Sequence, residues 1–432
     1  MSWWRSERSP VSGPTDLDAW VAEHWDPQRS VREWWRALFD AGLSYPSWPV
    51  GLGGLGLSAR EARQITEALA RHGVIGPPTG NMGAGLAAPT ILAHGTEEQI
   101  ATHVGAIARG ERSWCQLFSE PGSGSDLASL GARAIRDGDE WVITGQKVWN
   151  SRADESDMGL LLARTNVEVP KHAGITYFLI DMHQPGVEVR PLRTMADTTP
   201  FCEVFLTEAR VSADQILGGQ DAGWSVAQTT LHAERNMVAG GGHAGLVAAR
   251  AGIHGDLDRT CEEVLERARA SSSTARPILR SGAVPAKVMI QLAADFGANE
   301  DPLIRQELAR YITQIRVNGW TMQRSALAKG QLTGADGSIA KLTTARICQE
   351  SRDLSYGIVG PAGTLSGSTS PINGELQTVN LSSPGNRLGG GTDEIQLNVI
   401  AERALGLPRE PSADKDVPYR DLSVGSLTPR GS

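Results

Sequence analysis

The sequence predicts an α+β protein in which a helical N-terminal part, a β module and a helical C-terminal part follow one another. Apolar residues recur at helical spacing up to about residue 113, and short β-type runs bounded by turns replace them from Trp114 to about Val211. Helical spacing returns after Gly218-Gly219 and persists to about Leu407. At 432 residues the chain is too long for one small core, and a prior of about 150 residues per domain suggests two or three packed units. The expected divisions are 1–113, 114–213 and 214–410, with 411–432 expected to be a disordered tail because it is polar and contains Pro, Gly and Ser.

In the first part, Val31 to Leu43, Ala59 to His72 and Glu97 to Ala108 read as helices separated by Gly/Pro-rich breaks. Gly51, Gly53 and Gly56 spell GxGxxG there, but Pro46 and Pro49 precede them and no strand leads in, so an inter-helix loop fits better than a dinucleotide fingerprint. In the second part, Trp141-Val142-Ile143, Leu160-Leu161-Leu162, Thr176 to Ile180 and Cys202 to Leu206 read as strands. The third part is interrupted from Ser271 to Pro285 by a Ser/Ala/Arg/Pro stretch that reads as a loop insertion.

Composition narrows the function classes. Hydrophobic residues make up 40% and charged residues 21%, ordinary for a soluble globular protein. The net charge of -8, with no Lys/Arg stripe, argues against a nucleic-acid partner. The N-terminus is charged within its first eight residues and no apolar run follows, so no membrane insertion is expected and the cytoplasm is the expected location. Cys115, Cys202, Cys261 and Cys348 lie far apart and no histidine pair has metal-ligand spacing, so reduced thiols and no metal are expected.

Two segments carry chemistry. Phe118-Ser119-Glu120-Pro121-Gly122-Ser123-Gly124-Ser125-Asp126 forms a turn whose backbone N–H groups can face an anion or a heteroaromatic edge. Thr144 to Ser151 places Trp149 and Ser151 at a strand end, where the indole can stack on a flat ring and the hydroxyl donate to it. Core packing is the commoner role of a single tryptophan, but the pairing of the two segments favours ring binding.

These segments, SEPGSGSD and GQKVWNS, resemble the flavin-contacting motifs of the acyl-CoA dehydrogenases. YPSWPVGLGG, VFLTEARVSADQILG and GGGTDEIQLNVIAERALGLPRE fall in that family's order, so the resemblance spans most of the chain. It implies a helical N-terminal domain, a middle β-barrel and a C-terminal four-helix bundle, with FAD between barrel and bundle. On that footing Phe118, Ser119, Gly124, Ser125, Trp149 and Ser151 would contact the cofactor, with Gly360, Gly363, Thr392 and Glu394. Thr392 would cap a last helix, Asp393 to Leu405, whose positive end suits an anionic group, and Gly406 and Pro408 would stop it.

The implied reaction is α,β-dehydrogenation of an acyl-CoA to the trans-2-enoyl-CoA, a carboxylate taking the α-proton while the β-hydride goes to flavin N5. Many members place that glutamate immediately before a C-terminal Gly-Thr, where this chain has Gly390. A second known location matches Leu231 to Val238 and is occupied by Glu234. Trp224, Ala227, Leu231, Glu234 and Val238 share one helix face, so lost solvation should raise the Glu234 pKa above about 4.3. The competing reading is an ion pair with Arg235 or another arginine. The Gly390 backbone N–H could still polarise the thioester carbonyl.

Two residues the family lends across its dimer are missing. Ala293 stands where an arginine would precede Phe296-Gly297, and Gly357 where a glutamine would precede the turn Ile358 to Gly363. Either Arg305, Arg310 or another cation substitutes, or a paralogous subunit supplies the contacts. The expected partners are an acyl-CoA, an electron-transfer flavoprotein as acceptor, and further subunits in a homotetramer (a dimer of dimers), with α2β2 as the alternative. A flavin oxidase or monooxygenase and a non-catalytic partner subunit are the competing functions on this fold.

Overall fold

The computed structural model describes residues 14–78, 82–239, 246–272, 282–327, 335–409, 411 and 414–422. Its N-terminal helices are α1 (Pro14–His24), α2 (Val31–Asp40), α3 (Ala59–Arg71), α4 (Ala88–His94) and α5 (Glu97–Ala108), with a π-helical turn, Gly83–Ala87, leading into α4. Three of them start where the sequence supplies a capping box: Ser30 with Glu33, Ser58 with Glu61, and Thr96 with Gln99. The apolar face of α2 buries Trp34 and Trp35, whose indole N–H groups donate to the Ile75 and Gly76 carbonyls. The GxGxxG segment is a tight loop between α2 and α3. A Cβ on Gly53 would come within 2.9 Å of Phe39 and Ala108, so glycine serves packing there.

The β module contains β1 (Trp114–Leu117), β2 (Arg133–Asp137), β3 (Glu140–Ser151), β4 (Met158–Arg164), β5 (Ile175–Asp181), β6 (Val187–Leu192) and β7 (Phe201–Ser212). Their order is β1-β4-β2-β3-β7-β6, with β5 paired to β4. This mixed sheet curls around an apolar interior that includes Leu117, Ile143, Leu161, Phe178, Val204 and Val211. Strands β1, β4 and β5 are buried on both faces, and their alternate residues Trp114, Leu160, Leu162 and Tyr177 pack against Ile91 of α4 and Ile107 of α5. That double burial is why Leu160-Leu161-Leu162 is uniformly apolar where a half-exposed strand would alternate.

One ion pair fastens the module internally. The Lys147 ammonium on β3 is 0% exposed and lies 2.8 Å from the Glu120 carboxylate, in the loop after β1. Lys147 also donates to the Phe118 carbonyl, while Glu120 accepts the N–H groups of Gly131 and Ala132. Burial alone would push the Glu120 carboxyl up, but the Lys147 charge and these hydrogen bonds outweigh it and hold it below the ordinary range.

The C-terminal part comprises α6 (Gly223–Ala239), α7 (Cys261–Ser272), α8 (Ala286–Asp295), α9 (Pro302–Leu327), α10 (Asp336–Val359), α11 (Glu375–Ser382) and α12 (Asp393–Arg403). Helix α10 is the central member and packs against α6, α8, α9, α11 and α12. Of the expected insertion, Ser271 and Ser272 close α7 and residues 273–281 lie outside the described residues. The four cysteines are free and buried, and burial pushes the Cys115 thiol up to about 12. Among the described residues no helix is long and apolar enough to cross a membrane.

The expectation of a disordered tail from 411 onward is corrected for residues 414–422. Tyr419 is buried, its N–H donates to the Val169 carbonyl, and the Arg420 N–H donates to that of Val167. Polar composition predicted disorder, whereas this aromatic finds a seat on the β module. Residues 410, 412–413 and 423–432 lie outside the described residues.

Lys147→Met should leave Glu120 buried without its countercharge and lower the unfolding free energy by roughly 3–5 kcal/mol at pH 7, read by urea denaturation. Because the folded Glu120 pKa is depressed, its contribution is full above the unfolded value of about 4.3 and fades as pH falls through the lower folded value. The gap between wild type and variant should therefore narrow in acid. Equal stability at pH 7 would show that the pair is dispensable.

Candidate active site

The site begins where β1 runs out. Phe118 is buried edge-on against Tyr177, with ring centroids 5.7 Å apart, so its side chain anchors the loop rather than lining it. Beyond the half-buried Ser119, Glu120 and Ser123 exchange backbone hydrogen bonds, and the Ser123 hydroxyl donates to the Asp126 carbonyl. Gly124 and Ser125 are exposed. A Cβ on Gly124 would meet nothing within 4 Å, so neither left-handed backbone nor internal crowding accounts for glycine, and the space beside it is open to a ligand.

The second motif lies directly alongside. The Val148 N–H donates to the Ser119 carbonyl at 2.9 Å, and Lys147 reaches back to Phe118 and Glu120. The β3–β7 register shifts between Lys147 and Asn150, and within this bulge Trp149 takes a positive φ of 64°. The indole is thereby turned outward and is 57% exposed, edge-on to Phe201 at 5.8 Å. An exposed indole in a left-handed bulge can stack on a flat ring, and its conformation is held at some backbone cost. Ser151, half-buried, ends the strand. Asn150 turns inward: its Nδ2 donates to the Gln116 carbonyl at 2.7 Å, while its buried Oδ1 has no hydrogen-bond partner among the described residues.

Helix α6 brings the carboxylate. Its start is pressed onto β5, where a Cβ on Gly223 would lie 2.6 Å from the Thr176 carbonyl carbon. The buried Thr230 hydroxyl lies 3.0 Å from both the Thr90 and the Tyr177 hydroxyls, tying α6 to α4 and β5. The deepest line on α6 is Val226, Ala227 and Thr230, whereas Trp224 and Leu231 are half-buried. Of the expected stripe Trp224, Ala227, Leu231, Glu234 and Val238, the first three pack against one core, with Val226 and Thr230 buried beside them. Glu234 follows Thr230 by one turn and is half-buried, and the side chains of Arg235 and Val238 lie outside the described residues. Gln116 Nε2 donates to Glu234 Oε2 at 3.4 Å. Asn150, Gln116 and Glu234 thus link the end of β3, β1 and α6 in one polar chain.

The turn before α12 closes the site. A Cβ built on Gly390 would lie 3.7 Å from Glu234 Oε1. Gly390 and Gly391 have φ of 69° and 90°, and Gln396 Nε2 donates to both carbonyls, at 2.8 and 3.3 Å. Thr392 is the N-cap of α12, its hydroxyl accepting from the Ile395 N–H. Asp393 is buried between Arg387 (2.6 Å) and Lys341 (3.4 Å), and Glu394 is exposed.

Gly360 and Gly363 are not brought to this place. Lys341 meets Asp393 near the start of α10, whereas Gly360 follows its end, so roughly 28 Å of helix separates them. A Cβ on Gly363 would press within 2.8 Å of Tyr356, which accounts for glycine there without a ligand. Sequence reasoning missed Gln116 and Asn150. The available signal for Gln116 was a lone amide in the apolar run Trp114-Cys115-Gln116-Leu117.

Known proteins share this plan. Three family models match, described as "Acyl-CoA dehydrogenase, N-terminal domain" over residues 15–111, "middle domain" over 115–209 and "C-terminal domain" over 286–405. Acyl-CoA dehydrogenase IpdE1 of Mycobacterium tuberculosis is 35% identical over 385 residues, 88% of this chain and 88% of that protein. Acyl-CoA dehydrogenase FadE34 of the same organism is 38% identical over 86% of this chain, which spans 46% of FadE34's length. Among solved structures, the Tcur3481-Tcur3483 steroid ACAD is similar at 25% identity with a TM-score of 0.67, covering 95% of this chain and 100% of that one. The ChsE4-ChsE5 complex from Mycobacterium tuberculosis gives a TM-score of 0.64 at 25% identity, covering 94% and 100%. The helix–sheet–helix order, the paired motifs and these matches together place the chain in the acyl-CoA dehydrogenase family.

Proposed function

We propose that this chain catalyses FAD-dependent α,β-dehydrogenation of an acyl-CoA thioester to the trans-2-enoyl-CoA, with Glu234 as the base. The observation that carries the assignment is the 3.7 Å approach of a Gly390 Cβ to Glu234 Oε1. This contact supports the reading that Glu234 stands in for the glutamate that the family resemblance puts at the position of Gly390. Glu234 removes the α-proton, and Gln116 Nε2 steadies one carboxylate oxygen so that the other faces Gly390.

The residues fit the cofactor through the open space at Gly124, the exposed Trp149 indole and Asn150 Oδ1, which has no partner among the described residues. Ser119, Gly124, Ser125, Trp149, Ser151 and the capped start of α12 at Thr392 and Glu394 would hold it. When bound, FAD would supply the acceptor for the β-hydride, and an electron-transfer flavoprotein would be the acceptor of its electrons. The Gly390 N–H serves as a donor to the thioester oxygen, where charge develops as the α-proton leaves.

A second reading concerns assembly, with a paralogous chain completing the cofactor site. Ala293 is wholly buried in the bundle core beside Met289 and Leu292, so an arginine would not fit there. At Gly357 a Cβ would meet nothing within 4 Å, leaving an open position without a side chain. Gly360, where a Cβ would meet nothing within 4 Å, would be open to a neighbour's cofactor. The names of two similar solved structures, Tcur3481-Tcur3483 and ChsE4-ChsE5, each join two different chains.

Glu234→Gln should retain FAD but bleach it on anaerobic addition of a reactive acyl-CoA about 10²–10⁴-fold more slowly than wild type. Near-wild-type bleaching would place the base elsewhere. Native mass spectrometry tests the assembly: the chain purified alone should carry less than one FAD per protomer and fill on addition of its paralogue. Full flavin loading in a homotetramer would remove the heteromeric reading.

A further inference from the structure

We propose that the C-terminal segment 414–422 is a strap that positions the cofactor loop, so that flavin affinity depends on Tyr419, outside the site itself. The inference rests on the reading that the loop from Ser119 to Asp126 holds FAD. The strap lies beyond residue 405, where the match to the family's C-terminal domain ends.

The strap acts at two points. Arg164, at the end of β4, is buried and donates through Nη2 to the Ala128 carbonyl at 2.6 Å and through Nε to that of Leu130 at 3.1 Å. Its Nη1 donates to the Lys171 carbonyl at 3.0 Å. The Tyr419 ring covers this guanidinium at 3.4 Å, and its hydroxyl donates to the Ser129 carbonyl at 3.3 Å. Three consecutive carbonyls of the cofactor loop's return limb are thus held by one arginine and the tyrosine that shields it. Shielding matters because hydrogen bonds screened from water are electrostatically stronger.

At the second point, Lys171 Nζ lies 3.0 Å from Asp126 in the loop and 2.8 Å from Asp414 in the strap. The lysine bridges two carboxylates that would otherwise repel. On the opposite side Glu120 holds the N–H groups of Gly131 and Ala132. Gly124 and Ser125 therefore project from a loop fixed at both limbs, and a preorganised loop gives up less conformational freedom when a ligand binds.

The test uses the full chain, stripped of flavin, with FAD affinity measured by titration and amide hydrogen exchange followed by mass spectrometry. Tyr419→Ala should weaken FAD about tenfold, as expected for losing a desolvated cation–π contact. Exchange should quicken across 123–132 but not in β4 or β5. Tyr419→Phe, which keeps the ring, should recover most of the affinity, and Asp414→Asn should weaken FAD more at low salt than at high. A merely structural role would lower stability while leaving FAD affinity and the exchange pattern unchanged, and that result overturns the proposal. If Tyr419→Ala unfolds globally, Asp414→Asn decides, and wild-type affinity at low salt overturns the strap. If wild type binds no FAD, the reading of the 119–126 loop as a cofactor loop falls for the isolated chain and the strap proposal falls with it, whereas FAD binding that Tyr419→Ala leaves unchanged overturns the strap alone.

Discussion

The buried pair of Lys147 and Glu120 is the constraint on which the rest of the site depends. A fully buried ammonium is tolerable only against a countercharge with its remaining hydrogen bonds satisfied, and Glu120 and the Phe118 carbonyl meet both needs. Because Glu120 also binds the N–H groups of Gly131 and Ala132, one interaction fixes the loop after β1, the approach to β2 and the bulge of β3. Two motifs about 20 residues apart in sequence become one surface. Trp149 can then stand exposed with left-handed backbone while Asn150 turns inward to Gln116.

From Gln116 the geometry passes to Glu234, and there glycine at position 390 acquires a physical reason. The turn before α12 and the fourth turn of α6 reach the same space, since a Gly390 Cβ sits in van der Waals range of the Glu234 carboxylate. Two glutamates there would be like charges in contact, and one would be driven to hold its proton. A single carboxylate avoids that coupling. Glycine at 390 leaves room for it and permits a backbone of positive φ that a side chain would strain.

Much of the fold was legible because it is local. The helices read from apolar spacing at Val31, Ala59 and Glu97 start at those residues, where the structure shows capping boxes at Ser30, Ser58 and Thr96. The apolar runs at Leu160 and Tyr177 mark strands buried on both faces. The barrel and the four-helix bundle came instead from the resemblance, and the strand order was not legible at all, since long-range pairing leaves no periodic trace. Glu234, Gly390, Trp149 and the two motif loops could be named from sequence, but their union through Gln116 and Asn150 could not. The separation of Gly360 and Gly363 from the site depends on the length and direction of α10, and the seat of Tyr419 on a buried arginine far away in sequence.

In the proposed mechanism Glu234 alone exchanges the α-proton, beside Gly390. The most direct measurement is deuterium incorporation at the α-carbon of a bound acyl-CoA in heavy water, followed by mass spectrometry for wild type and Glu234→Gln, both loaded with FAD. Incorporation in wild type and its loss in the variant, at equal FAD content, is the predicted result. Equal incorporation in both would mean that the α-proton leaves to a group other than Glu234.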